Sequence, residues 1–378
     1  MEVPAGSGPG TVNDTFFRFV VDMGGPGPDR GKGGKYLILP PDYKGDLHGP
    51  IGGKEAEING QKYFVAKSTS YINWLILRGF MVDKKKETAS KMYREGLKIY
   101  PLSKISNPPK MEFINVSGKV FNTVHANNFA FYEELHNVVE REATSMWDPE
   151  LLGLFASIGI QKGTSFSPDE KMKKILTDAV AIGNATARAI VFRPVKSYDK
   201  YPNSCWKSTF HGTTDYQWLI DGGIGGRDLN ARTNFFYLAT VNTPAMMLKM
   251  PGIGSQYAAA YTDNTGAYLN GGNNYTLHLP PNIPAKNFWS VVVYDPQTRS
   301  ELQTSQALPS KSNTRDKIIQ NADGSTDIYF GPNAPAGKET NWIQTIAGKG
   351  WCTLFRLYGP LEPWFDETWK PGEIELVK

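Results

Sequence analysis

Cysteine is nearly missing from this chain: Cys205 and Cys352 are the only two in 378 residues. That excludes a disulfide framework and a cysteine-built zinc site, and leaves one bridge, between these two, open. Charge of one sign is missing as well. Lysine and arginine total 41 against 37 acidic residues, a balance of +4, and they are scattered. This excludes the basic stripe with which a nucleic-acid binder displaces counterions, and the single cluster, Lys84-Lys85-Lys86, reads as a solvated loop or a helix start. No apolar run approaches the ~18 residues that span a bilayer, so no transmembrane segment is expected. The first ten residues, from Met1 to Gly10, lack the charged and apolar regions of an export signal. Histidine is scarce: none of His48, His125, His136, His211 and His278 pairs at i,i+4, and only His125 and His136 could share a helix face, so metal chemistry is not expected. Ser255, within Gly252-Ile253-Gly254-Ser255-Gln256, does not form a Gly-x-Ser-x-Gly elbow, which leaves a serine hydrolase unsupported.

What is abundant is turn-forming and aromatic residues, with 38 glycines, 26 prolines and 12% aromatics, the mark of many short strands. Residues 16–21, 36–39, 63–65 and 71–77 read as strands. The glycine-rich stretch from Gly24 to Gly34 reads as a strained loop, because it lacks the Gly-Lys-Ser/Thr ending of a phosphate cradle. From Glu87 to Arg193 the pattern turns helical: one helix over 123–142, a second opened by Asp148-Pro149-Glu150, and a third opened by the Ser167-Pro168-Asp169-Glu170 capping box. Its apolar face comprises Met172, Ile175, Leu176, Ala179, Ile182, Gly183 and Ile190, and it ends before Pro194. Strand character returns over 235–239, 257–261, 275–279, 288–294, 327–330 and 351–358. At this length two or more domains are expected. We divide the chain at Asp83 and Pro202 into 1–83, 84–201 and 202–378.

The chemistry-bearing candidates lie in the last part. Residues 288–294 are apolar on both faces and run into Asp295-Pro296-Gln297-Thr298-Arg299, a polar group at a strand end. Period two puts Arg356 on one face with Cys352, Leu354 and Tyr358, and a buried guanidinium needs a carboxylate, for which Asp228, Asp295 and Glu339 are the candidates. Two readings stand side by side: an Arg–Asp pair tying two sheets together, or a clamp for an anion or sugar carboxylate that Arg232 and Arg299 would join. Catalytic roles are assigned to Asp228, Asp295, Arg299 and Arg356, and ligand binding to Arg232, Tyr257, Glu339, Asn341 and Trp342. The aromatics of this part, Trp289, Trp351, Trp364, Trp369, Tyr261 and Tyr294 among them, suit a core and also a surface for stacking sugar rings.

The motifs Gly27-Pro28-Asp29 through Leu39-Pro40-Pro41, Tyr100-Pro101-Leu102, Asn115-Val116-Ser117-Gly118, Pro244-Ala245-Met246, Gly254-Ser255-Gln256-Tyr257, Thr298-Arg299-Ser300 and Leu357-Tyr358-Gly359-Pro360-Leu361 together resemble a bacterial and viral family. It is built from two adjoining domains of unknown function, numbers twelve-fifty-four and twelve-fourteen, and the likeness runs from about Thr15 to Glu375. The resemblance implies a β-barrel-like first domain, a helical segment and a jelly-roll-like second domain. It brings no catalytic residue and no cofactor. Members carry a further N-terminal stretch with an Asn-x-Asp-Thr-x-Tyr segment, of which Asn13-Asp14-Thr15 is a faint echo, and the chain is expected to lack part of the first domain.

The expected fold is therefore α+β and mainly β, with an N-terminal β-barrel-like domain, a central helical segment and a C-terminal jelly-roll-like β-sandwich. The expected function is degradation of cell-wall or extracellular polysaccharide by hydrolysis or elimination, the alternative being a non-catalytic carbohydrate-binding or structural protein of an envelope or virus particle. The expected partner is a polysaccharide or small molecule, not nucleic acid. An extracellular, envelope or particle setting is favoured over the cytoplasm, and cofactor need and oligomeric state are left open.

Overall fold

The computed structural model describes residues 1–45, 54–82, 85–121, 124–210, 216–239 and 241–377. Asp83, Lys84, His48, His211 and Thr123 lie outside the described residues. Contacts divide the chain into two units, Met1–Asn184 with Val241–Thr243, and Ala185–Thr240 with Pro244–Lys378.

Among the described residues the first unit opens with seven strands: β1 (Glu2–Val3), β2 (Gly10–Asp14), β3 (Phe19–Met23), β4 (Gly34–Leu39), β5 (Lys54–Ile58), β6 (Gln61–Lys67) and β7 (Asn73–Ile76). They form two open sheets, ordered β1-β4-β6-β5 and β3-β2-β7. The class is α+β and β-rich, and among the described residues neither sheet closes into a barrel. The core under them includes Val3, Val12, Val21, Met23 and Tyr36, each large side chain worth roughly 1.5–3 kcal/mol on burial. The glycine-rich stretch joins β3 to β4, strands of different sheets. Asp29 locks it by accepting from the Tyr36 hydroxyl at 2.8 Å and the Gly33 amide at 3.1 Å. Gly33 sits at φ +74°, and a Cβ there would meet the Ala5 nitrogen at 2.6 Å, so both conformation and space demand glycine.

Two polar devices lie inside this β region. The fully buried Asp14 accepts from the Phe16 and Arg18 amides at 2.8 Å each, from Arg18 Nε at 2.6 Å and from the Thr69 hydroxyl at 2.6 Å. The second involves Val241–Thr243. The Asn13 side chain exchanges two hydrogen bonds of 2.8 Å with the backbone of Asn242, and the Thr243 hydroxyl donates to Asp22 at 2.9 Å.

Helices follow: α1 (Lys86–Gly96), α2 (Ala130–Arg141), α3 (Pro149–Ser157) and α4 (Glu170–Phe192). Asp148 caps α3 through the Glu150 amide with Pro149 in the first turn, as the sequence predicts. For α4 the cap is Asp169, accepting from the Met172 amide at 2.7 Å, and not Ser167. The buried side of α4 centres on Leu176 and Val180, while Ile175 and Ile182 are exposed. By length and composition α4 is the one helix among the described residues that could cross a membrane, and only 17% of its apolar stretch is buried, although Asp178, Asn184 and Arg188 interrupt the apolar run. His125 precedes α2, so it shares no helix face with His136, and among the described residues no cluster of three metal-ligating side chains occurs.

The second unit is a β-sandwich. Its strands are β8 (Trp206–Ser208), β9 (Ser255–Ala260), β10 (Tyr275–Leu279), β11 (Ala285–Tyr294), β12 (Ser310–Ser312), β13 (Thr326–Gly331), β14 (Trp342–Gln344), β15 (Cys352–Pro360) and β16 (Ile374–Leu376), with α5 (Leu229–Leu238), α6 (Pro244–Met247) and α7 (Glu362–Phe365). Sheet β12-β11-β15-β9-β8 faces sheet β14-β13-β10-β16 across a core to which Val291, Phe355 and Ala258 contribute from the first and Leu277, Ile328 and Ile343 from the second. Of residues 235–239, which read as a strand, 235–238 are helical in α5 and Ala239 is its C-cap. Asp228 caps that helix by accepting from the Ala231 amide at 2.9 Å, and Phe235 and Phe236 each lie 5.2 Å from the Trp218 ring; tertiary packing outweighs the β preference of this aromatic-rich stretch. Cys205 and Cys352 are both buried and free.

Candidate functional site

Register decides which side chains share the outer face of the five-stranded sheet. Arg356 pairs with Tyr257 on one side and Ser290 on the other, and Leu354 with Ala259 and Val292, so period two places Cys352, Leu354, Arg356 and Tyr358 in one row on the face turned away from the sandwich core. At the Cys352 end, β11 stops at Tyr294 and a tight turn begins. Asp295 is buried and organises it: Oδ1 accepts from the Gln297 amide at 2.7 Å, the carbonyl accepts from the Arg299 amide at 2.7 Å, and Oδ2 accepts from Lys349 Nζ at 3.0 Å. Burial pushes the Asp295 carboxyl up, but the Gln297 amide and the Lys349 ammonium outweigh it and hold the group below the usual aspartate range. Replacing Lys349→Met should raise that value, and a carboxyl-carbon NMR titration of Asp295 checks it.

Arg299 within this turn is joined there by Arg188, and Arg193 lines the neighbouring cavity. Arg299, with φ +62°, lies over the Tyr237 ring at 4.0 Å and donates through Nη1 to the Tyr237 carbonyl at 3.3 Å, while its buried Nε has no acceptor among the described residues. Burial, with a smaller contribution from the positive charge of Arg188, pulls the Arg299 guanidinium below its ordinary value against the opposing effect of Tyr237, although it stays charged throughout the working pH range. Arg188, in the last turns of α4, donates to the Pro296 carbonyl at 2.9 Å and covers the Phe192 ring at 5.2 Å. Arg193 follows α4 and is exposed.

These groups border a cavity of about 430 Å³ walled by Arg188, Arg193, Phe192, Tyr261, Tyr268 and Trp351. A smaller chamber of about 60 Å³ shares Phe192, Tyr261, Pro296 and Cys352 with it and adds Asp295 and Arg299. Burial pushes the Cys352 thiol up to about 12 and the Tyr261 hydroxyl well above its ordinary value. Neither is a thiolate or phenolate nucleophile near neutral pH.

Arg356 is placed elsewhere, two steps along the row. No carboxylate forms an ion pair with it among the described residues. Its Nη2 donates to the Tyr358 hydroxyl, and its guanidinium lies 5.3 Å from the Tyr257 ring and 5.2 Å from the Tyr358 ring. Burial pulls its pKa down, but Tyr257, Tyr358 and Tyr294 outweigh this and raise it. Cation–π contact and hydroxyl acceptors therefore do what the sequence reading asked of a carboxylate. Phe288 stacks on Tyr358 at 4.1 Å and Ser255 bonds the Tyr257 hydroxyl at 2.8 Å, which fixes both tyrosines.

The remaining candidates are spread over the unit. Asp228 is the cap of α5, and Arg232 on that helix lies over Phe236 at 5.6 Å. Glu339 is exposed and accepts from the Gly337 amide. Asn341 is buried, with its side chain committed to the backbone of Ile319 and Asp327, and Trp342 Nε1 donates to the Gly331 carbonyl. Of the nine candidates only Asp295 and Arg299 share a cavity. Arg188, Arg193, Tyr268 and Lys349 carry no mark of a site in the sequence: they come from separate segments, and no motif links them.

Residues 1–101 match the family model described as a protein of unknown function, DUF1254, and residues 254–362 match the one described as a protein of unknown function, DUF1214. No curated protein matches the chain. Among solved structures it is similar to the VPA0106 protein of Vibrio parahaemolyticus, at 16% identity and a TM-score of 0.53 over 100% of this chain and 85% of that one. A second match, an uncharacterized protein from Burkholderia cenocepacia, has 13% identity and a TM-score of 0.27 over 56% of this chain and 44% of that one.

Proposed function

We infer that this chain, which carries a DUF1254 domain and a DUF1214 domain, is a binding protein for an acidic saccharide, held in the cavity beside Asp295. The observation that carries this reading is that Arg188 and Arg193 line one aromatic-walled cavity, while Arg299 lines the smaller chamber that shares Phe192, Tyr261, Pro296 and Cys352 with it. The residues lining the cavity include no carboxylate, and Asp295, which lines the smaller chamber, is already engaged by Lys349 and the Gln297 amide. Guanidinium forks bind carboxylates bidentately, and the exposed ring of Tyr268 with the edge of Phe192 offers apolar surface to a pyranose face. The cavity is within the size range of small-ligand sites, roughly 300–1,000 Å³.

Binding is favoured over bond cleavage. Glycoside hydrolysis uses two carboxyl groups flanking the bond, one of them protonated, and Asp295 is single and held ionised. Elimination from a uronate needs a base, and Tyr261 and Cys352 both keep their protons.

The test is calorimetric titration with oligogalacturonides and with neutral oligosaccharides of equal length. Acidic oligomers are expected to bind at least tenfold more tightly. Arg193→Ala, at an exposed position whose guanidinium makes no hydrogen bond to the described residues, should weaken them about ten- to a hundredfold, since a charge-assisted hydrogen bond contributes roughly 1.5–3 kcal/mol. Equal affinity for acidic and neutral oligomers, or an Arg193→Ala variant that binds as well as the parent, would sink the reading.

A further inference from the structure

A second cavity, of about 340 Å³, opens in the helical part of the first unit. Its walls come from both sides of one helical hairpin. Val139 on α2, Leu152 and Ala156 on α3, Trp147 between them and Ile160 just after α3 all present apolar surface. Val139 and Ile160 are almost fully buried. The Trp147 ring is held edge-on by Phe16 and Phe155, each with its centroid 5.6 Å away. This wall is therefore fixed by packing. Gly153 lies in the middle of α3 and borders the opening, and a Cβ built there would meet nothing within 4 Å. A glycine inside a helix costs about 1 kcal/mol relative to alanine, and here no close contact among the described residues requires its small size. What it does provide is room.

One cation stands at this cavity. Lys162 lines it, and its ammonium donates to the Glu140 carbonyl and, at 2.9 Å, to the Glu142 carbonyl. Both acceptors are uncharged. The carboxylates of the same two residues are turned to backbone amides: Glu140 accepts from Gly163 at 2.7 Å, and Glu142 accepts from Tyr71 at 2.7 Å and Ile72 at 3.1 Å. Lys162 thus forms no ion pair among the described residues, and an ammonium has three donors, of which two are used.

An apolar chamber with one unpaired ammonium at its edge complements a molecule with an apolar body and an anionic end. We propose that this cavity binds the chain of a medium-length fatty acid, with the carboxylate on Lys162. The site is independent of the arginine-lined cavity, in residues and in ligand class.

The test is calorimetric titration of the full chain with decanoate and with decanol, both kept below their aggregation limits. Saturable decanoate binding is expected, several-fold tighter than that of decanol. Lys162→Gln should cut decanoate affinity about tenfold and leave decanol unchanged. Gly153→Phe should fill the chamber and abolish binding of both, whereas Gly153→Ala, the control for helix integrity, should retain both. The proposal is overturned if decanoate does not bind saturably, if Gly153→Phe binds it as tightly as Gly153→Ala does, or if Lys162→Gln weakens acid and alcohol alike.

Discussion

Asp14→Ala is expected to destabilise the chain by about 3–5 kcal/mol, the range found when one member of a buried ion pair is removed. Four donors lose their acceptor at once: the Phe16 and Arg18 amides, Arg18 Nε and the Thr69 hydroxyl. Arg18 itself is partly exposed, its side chain retaining 37% of its accessible surface, so the stranded guanidinium can recover some hydration. The two stranded amides, at roughly 1–3 kcal/mol each, then contribute a large share of the loss. Arg18→Met, which leaves the amides satisfied, should cost less. Urea denaturation of both variants decides the matter, and a loss below about 1 kcal/mol for Asp14→Ala would show that this network is not what holds the β2–β3 turn.

The second large effect is on pH dependence. Asp22 is buried, its Oδ1 has no hydrogen-bond partner among the described residues, and burial pushes its carboxyl up to about 6, with Thr243, Thr11 and Arg78 opposing. The folded value lies above the ordinary aspartate value of 3.8, so the folded chain holds this proton more tightly than the unfolded one. The contribution of Asp22 to stability is therefore fully present below about pH 4 and is lost as pH rises through about 6. Its size is on the order of 3 kcal/mol, since each tenfold gain in proton affinity on folding contributes about 1.4 kcal/mol. Asp22→Asn should flatten the stability profile between pH 4 and 7, as read from denaturation midpoints across that range. If the variant keeps the slope of the parent, the slope has another source.

The β-sandwich was legible because its signal is local. Residues 288–294 and 275–279 alternate or run apolar for long enough to name a strand, and β11 and β10 lie on them. The cap of α3 was legible for the same reason. Residues 235–239 misled because aromatic and aliphatic side chains in succession suit a strand as well as a helix, and the deciding contacts, to Trp218, are distant in sequence. At the candidate site the turn from Asp295 to Arg299 was visible as polar residues ending an apolar strand. Its companions were not, because Arg188 reads as one more exposed helical arginine and Lys349 as a loop lysine until the fold brings them to the same turn. Arg356 shows the converse. The need for a partner could be inferred from its strand position, but that tyrosines would meet the need could not.

The placement of Val241–Thr243 in the first unit has a consequence for the chain as it emerges from the ribosome. Asn13 is wholly buried with its amide committed to Asn242, and Asp22 meets Thr243, so the N-terminal β region lacks these partners until residue 243 has been made. Synthesis proceeds at roughly 5–20 residues per second, which imposes a delay of several seconds or more after Asn184 leaves the peptidyl transferase centre. Until then the Asn13–Asn242 and Asp22–Thr243 contacts are unmade, and the tripeptide acts as the latch of the first unit.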